Sequence, residues 1–128
     1  MAVESLNLDQ ISAEIGFKLA DNNKSRAKEF ERIVTKALGI LIEDGLFAYA
    51  IWLESEKESD IINSSFNLLE GKSGIIRENY NDGIEKLREA ILKEIAPDIQ
   101  KTLLARQILE RMLVYARYRA KALQKGSD

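Results

Sequence analysis

At 128 residues, with 45% hydrophobic and 31% charged side chains, the chain can bury one core but not two, and it is too apolar to stay disordered. The absence of cysteine and histidine excludes disulfides, thiolate metal sites and any Ser/His, Cys/His or HExxH chemistry carried by this chain alone. A net charge of −2 opposes long-range attraction to a polyanion, yet ten acids and six bases in residues 52–94 give way to seven bases and three acids in residues 98–128.

One proline and seven glycines leave long stretches rich in Leu, Ile, Ala, Glu, Lys and Arg, which predicts an all-α domain. Asp9 is the expected N-cap of a first helix of about three turns, with Ile11, Ile15 and Leu19 as its apolar stripe. The cluster Asp21-Asn22-Asn23 ends it. Ser25 is expected to cap a second helix through Ile42, whose Phe30, Ile33, Val34, Ala37, Leu38 and Leu41 form a wide apolar face. Gly39 lies inside that helix. An interior glycine costs about 1 kcal/mol against alanine, so it predicts the close approach of a neighbouring helix.

Residues 37–53, ALGILIEDGLFAYAIWL, are apolar on both sides of a single break at Glu43-Asp44-Gly45. Gly45 is expected to end the second helix in the left-handed conformation, with Leu46 opening the next almost without a linker. The third helix, Leu46 to about Lys57, is apolar nearly all round up to Glu54 and is expected to be central and buried. Gly45, Leu46 and Trp52 are thus the candidate structural corner.

Ser59 or Asp60 caps a fourth helix carrying Ile61, Ile62, Phe66, Leu68 and Leu69, and Gly71-Lys72-Ser73-Gly74 reads as a flexible loop. A short helical piece is expected from Ile75, then a helix from Ile84 to Ile95 after the turn signal Asn81-Asp82-Gly83. Pro97 forces a boundary, and Asp98 opens the longest helix, to about Lys125. The expected architecture is a single-domain helical bundle of about five to six helices with a long C-terminal helix. No apolar run approaches about 18 uncharged residues, and the opening MAVESLNLDQ lacks the basic and apolar regions of a signal peptide. The expectation is a cytoplasmic protein without a membrane partner.

Catalysis or metal binding could rest only on carboxylates. Glu54, Glu56, Glu58 and Asp60 alternate, so they fan around a helix end as a solvated surface rather than converge. No DxD, EF-hand or P-loop pattern occurs, and no cofactor, metal or enzymatic activity is expected. Two basic rows remain. Lys28, Arg32 and Lys36 recur every fourth residue, with Lys24 and Arg26 at their start. On the last helix Arg117, Lys121 and Lys125 form another row, with Arg106 on the same face three turns earlier. Such rows can track phosphates, or they can be ordinary solvated faces with local pairs to Glu29 or Glu110. Tyr49, Trp52, Tyr115 and Tyr118 could stack on bases, but helical spacing inside apolar runs favours the core for them.

Residues 41–56, LIEDGLFAYAIWLESE, resemble the corner of the small subunit of type III-B CRISPR RNA-guided effector complexes, an apolar helix end, an Asn/Asp-Gly-Leu turn and a helix with an aromatic where Trp52 stands. Residues 114–123, VYARYRAKAL, are similar to that family's closing signature, with Tyr115 as its aromatic, Arg117 in the basic position and Ala120 and Ala122 in the small ones. Upstream, FERIVTKAL resembles the approach to the corner, with an aromatic at Phe30 and a lysine at Lys36. The likeness covers about half the chain, in the right order.

The resemblance implies a non-catalytic, all-helical subunit in antiviral defence. Copies of it would stack along the complex beside other effector subunits and line the channel holding guide and target RNA. It makes Lys28, Arg32, Lys36, Arg106, Arg117 and Lys121 the candidates for contact with the RNA backbone. A reading from a different class is a helical protein–protein adaptor or regulator without nucleic-acid contact.

Overall fold

The structure, a computed structural model, describes residues 7–71, 73–80 and 83–126. Its organising element is the last helix. Pro97 interrupts the chain, and the Asp98 carboxylate then accepts the N–H groups of Gln100 (2.9 Å) and Lys101 (3.1 Å), satisfying donors that open the new helix. With Ala105, Ile108, Leu109, Met112, Leu113, Ala116 and Ala120 buried at spacings of three and four, this helix presents one continuous apolar seam.

Chain order gives α1 (Leu8–Asp21), a 3₁₀ turn (Lys24–Arg26), α2 (Ala27–Asp44), α3 (Leu46–Ser55), α4 (Ser59–Glu70), α5 (Lys86–Ala90), a π-helical turn (Ile91–Ile95) and α6 (Ile99–Gly126). Among the described residues there is no strand, so the fold is an all-α bundle with a long C-terminal helix, as the composition predicts. α6 makes its most extensive contacts with α1 on one flank and α2 on the other, while α3, α4 and the α5 segment complete the core.

The first cap differs from expectation. Asn7, not Asp9, caps α1, its side chain accepting the N–H of Gln10 at 2.9 Å. Asp9 instead reaches α6, where its carboxylate accepts from Arg111 Nη1 (2.7 Å) and from the Tyr115 hydroxyl (3.0 Å). These two hydrogen bonds, Arg111 first, hold the Asp9 carboxyl below its ordinary value. A carboxylate with a depressed folded-state pKa stabilises above its unfolded value, about 3.9, and loses that contribution as pH falls through the folded value. Asp9→Asn should therefore lower the melting temperature at pH 7, and the gap from wild type should narrow as pH falls below about 4. Thermal melts at pH 7 and pH 2.5 check this; a gap of equal size at both would refute it.

Gly16, not Gly39, marks the close helix approach. A Cβ at Gly16 would lie 2.5 Å from the Met112 carbonyl oxygen, so α1 rests almost backbone to backbone on α6. Gly39 is exposed and a Cβ there would meet nothing within 4 Å. The second helix also starts later than expected, because Ser25 falls in the 3₁₀ turn and makes no cap.

Gly45 does end α2, but not in the left-handed helical region. Its φ of 98° and ψ of −177° lie in a region open essentially to glycine alone. Its N–H closes α2 on the carbonyls of Ile40 and Leu41, and its own carbonyl accepts the Tyr49 N–H of α3. Leu46, Tyr49, Ala50 and Leu53 of α3 are buried, and the Tyr49 hydroxyl lies 2.7 Å from Ser65 Oγ of α4. α3 is nevertheless not the central helix. Phe47 and Ile51 are exposed and Trp52 is half-buried, because α6 occupies the centre and α3 packs at its side.

After α4, Ser73 donates to the carbonyls of Leu68 (2.7 Å) and Leu69 (2.8 Å), tying down the chain where a loop was expected; Lys72 lies outside the described residues. The helical piece expected from Ile75 does not form. Ile75 and Ile76 are buried in a non-helical segment, and the Glu94 carboxylate accepts the N–H groups of Arg77 (2.7 Å) and Glu78 (3.2 Å). Those donors are satisfied by a side chain rather than a helical turn. Asn81 and Asp82 also lie outside the described residues, and the following helix begins at Lys86 and widens into the π turn before Pro97.

Candidate functional site

α2 and α6 lie side by side and antiparallel. Arg106 donates to the Ile42 carbonyl at one end (3.0 Å), and Gln124 donates to Glu31 at the other (2.9 Å). Between these ends Lys121 lies 3.8 Å from Glu31. Arg117, one turn before Lys121 and three turns after Arg106, falls on the same flank of α6 by the helical repeat. The α6 row thus borders α2.

The core face of α2 carries Phe30, Val34, Ala37 and Leu41, so Lys28, Arg32 and Lys36 point away from the core. Lys28 and Arg32 line an open groove of about 1080 Å³, whose walls also include Lys24, Arg26, Glu29, Glu31, Leu123 and Gln124. Lys36 is exposed one turn further along α2. The two rows predicted from spacing therefore occupy adjoining surfaces of one helix pair.

Several of these cations are already engaged. Arg32 forms a two-bond pair with Glu29 (2.6 and 3.3 Å), which holds the Glu29 carboxyl below its ordinary value through those hydrogen bonds. Both side chains are largely exposed, so the pair contributes little to stability. Arg26 is fixed by Asn23 Oδ1 (2.9 Å) and lies 3.7 Å from Glu58. Among the described residues, Lys28 and Lys36 have no carboxylate at ion-pair distance, and neither does Arg117. The Nε–H groups of Arg106 and Arg117 are shielded from solvent without a hydrogen-bond partner.

The groove can attract anions, and its carboxylates Glu29 and Glu31 temper that attraction. Among the described residues no three acidic side chains converge to hold a metal ion. Glu54, expected to be solvated surface, instead pairs across the fold with Arg88 of α5 (2.8 and 3.3 Å), whose hydrogen bonds lower its pKa. Glu31 was not legible as a site residue, because its contacts with Lys121 and Gln124 span about ninety positions. Glu29 was legible, since it lies three residues before Arg32.

The aromatics divide. Tyr49 is fully buried, and Trp52 and Tyr115 are partly so. Tyr118, expected in the core, is 58% exposed, with the Arg117 guanidinium 5.9 Å from its ring centroid. Among the described residues no helix is long and apolar enough to cross a membrane.

No family model, curated protein or solved structure matches this chain.

Proposed function

We propose that this protein is a non-catalytic small structural subunit of a type III CRISPR ribonucleoprotein effector, serving antiviral defence in the cytoplasm. It stacks with further copies of itself and with other subunits, and contacts the guide–target RNA backbone. The observation that carries the reading is the juxtaposition of the rows on α2 and α6 along one antiparallel helix pair. Scattered basic residues would not fall on adjoining faces of one helix pair, and Lys28, Lys36 and Arg117 there have no carboxylate at ion-pair distance among the described residues. The resemblance of residues 41–56 and 114–123 supports the same assignment.

A second reading, a helical adaptor without RNA contact, is favoured by a different observation. Ile42, Phe47, Ile51, Leu92, Ile99 and Leu103 are large apolar side chains left exposed, and such surface suits protein partners. The two readings separate in a salt titration of the assembled complex. Each phosphate contact adds about 0.7 to the slope of log affinity against log salt for a single strand, and somewhat more for a duplex. Replacing Lys28 and Lys36, or Arg117 and Lys121, by Ala should weaken target-RNA binding and flatten that slope, with assembly intact. Unchanged affinity and slope alongside failed assembly would assign this face to protein and replace the first reading by the second.

A further inference from the structure

Tyr118 lies outside the core. It lies on the ridge of α6 facing away from the seam that carries Leu109, Met112, Ala116 and Ala120, and it is 58% exposed. A lone exposed tyrosine is ordinary on any surface. Its surroundings are what set this one apart. The same ridge carries Arg111 and Val114 before it and Lys121 and Lys125 after it, with Glu110 at its edge. Arg111 is engaged by Asp9 at 2.7 Å, whereas Lys125 is exposed. Arg117 holds its guanidinium 5.9 Å from the Tyr118 ring centroid, which orients the ring and sets a cation beside it.

Arg119 is met by Asp21 (2.8 Å) and Lys121 by Glu31 (3.8 Å), whereas Arg117 and Lys125 have no carboxylate at ion-pair distance among the described residues. An exposed aromatic with such a cation beside it complements a flat, electron-rich group joined to an anion. An unpaired nucleotide has both parts: a base to stack and a phosphate to neutralise. We infer that Tyr118, with Arg117 beside it, is a stacking platform for an unpaired base of single-stranded RNA. This deepens the RNA-backbone reading and rests on it, since backbone contact alone needs no aromatic and does not distinguish a strand from a duplex. A helix ridge is convex, so a paired base inside a duplex cannot reach the ring, whereas a base in a flexible strand can swing onto it.

The test uses the purified full chain and three fluorescently labelled probes of equal length at low salt: oligoadenylate, an abasic oligonucleotide with the same phosphates, and an RNA duplex. Wild type should bind oligoadenylate more tightly than the abasic strand. Tyr118→Ala should weaken oligoadenylate binding by about 5- to 150-fold, the range for loss of one aromatic–base stack. It should leave abasic and duplex binding, the salt slope and the melting temperature unchanged. Tyr118→Phe should behave as wild type, because the ring and not the hydroxyl stacks. Equal oligoadenylate binding by wild type and Tyr118→Ala would overturn the platform. If the Lys28→Ala/Lys36→Ala variant still lost affinity for all three probes, the backbone reading would survive that failure. Absence of wild-type binding to every probe, with retention of an acidic protein surface instead, would overturn both.

Discussion

Tyr49→Ala should cost about 3–5 kcal/mol of folding stability, the range for truncating a fully buried aromatic. The ring is completely enclosed, and its hydroxyl closes a polar contact at the α3–α4 boundary. Ser65 Oγ already donates to the Ile61 carbonyl at 2.8 Å, so the Tyr49 hydroxyl is the donor in the 2.7 Å bond between them. Burial pushes the phenol above its usual value, so it stays neutral at physiological pH. Tyr49→Phe leaves Ser65 with its backbone acceptor and should cost only about 1 kcal/mol. Trp52→Ala should fall between the two, because Trp52 is only half-buried. Urea denaturation of the three variants gives the order; a Trp52 loss exceeding the Tyr49→Ala loss would place the core on the wrong side of α3.

Gly45→Val should destabilise by about 3 kcal/mol, lowering the melting temperature by on the order of 10 °C. The cause is backbone conformation alone. A Cβ at Gly45 would meet nothing within 4 Å, but φ of 98° with ψ of −177° is strained for any residue with a side chain. Relaxing it would break the hydrogen bonds from the Gly45 N–H to Ile40 and Leu41 and release the entry of α3. Gly39→Ala is the internal control. The same open surroundings at helical φ should make that change stabilising by about 1 kcal/mol. Should both glycine variants melt as wild type, the corner follows another backbone path.

The contrast between these glycines shows what could be read from the chain. The break at Glu43-Asp44-Gly45, the boundary at Pro97 and the capping Asp98 are local signals, written in backbone chemistry that needs no partner, and each falls where expected. Gly16 and Gly39 look alike in sequence, both glycines within helical pattern. Only the α1–α6 crossing makes one indispensable and leaves the other idle. α3 was misread for a related reason: apolar composition says that a helix can be buried, not how much neighbouring surface remains to bury it. Spacing placed each basic row on its helix face. It could not reveal that Glu31 crosses to Lys121, or that Arg106 is spent on a backbone carbonyl. Nor could it show that the segment after Ile76 borrows its acceptors from Glu94.

The seating of α1 on α6 carries a consequence for how the chain acquires its shape. Contacts such as Asp9 with Tyr115 and Asp21 with Arg119 join residues 106 and 98 positions apart. During synthesis α1 must wait for a surface translated about a hundred residues later, with its Ile11–Ile15 stripe meanwhile unprotected. Closing so long a loop costs entropy that grows as the logarithm of its length, and it must be met before the seam of α6 rewards it. The bundle should consequently fold more slowly than helical proteins built from neighbouring hairpins. Nascent chains halted before α6 should be substrates for chaperones and proteases, whereas α2–α3, joined through Gly45, can form their corner early.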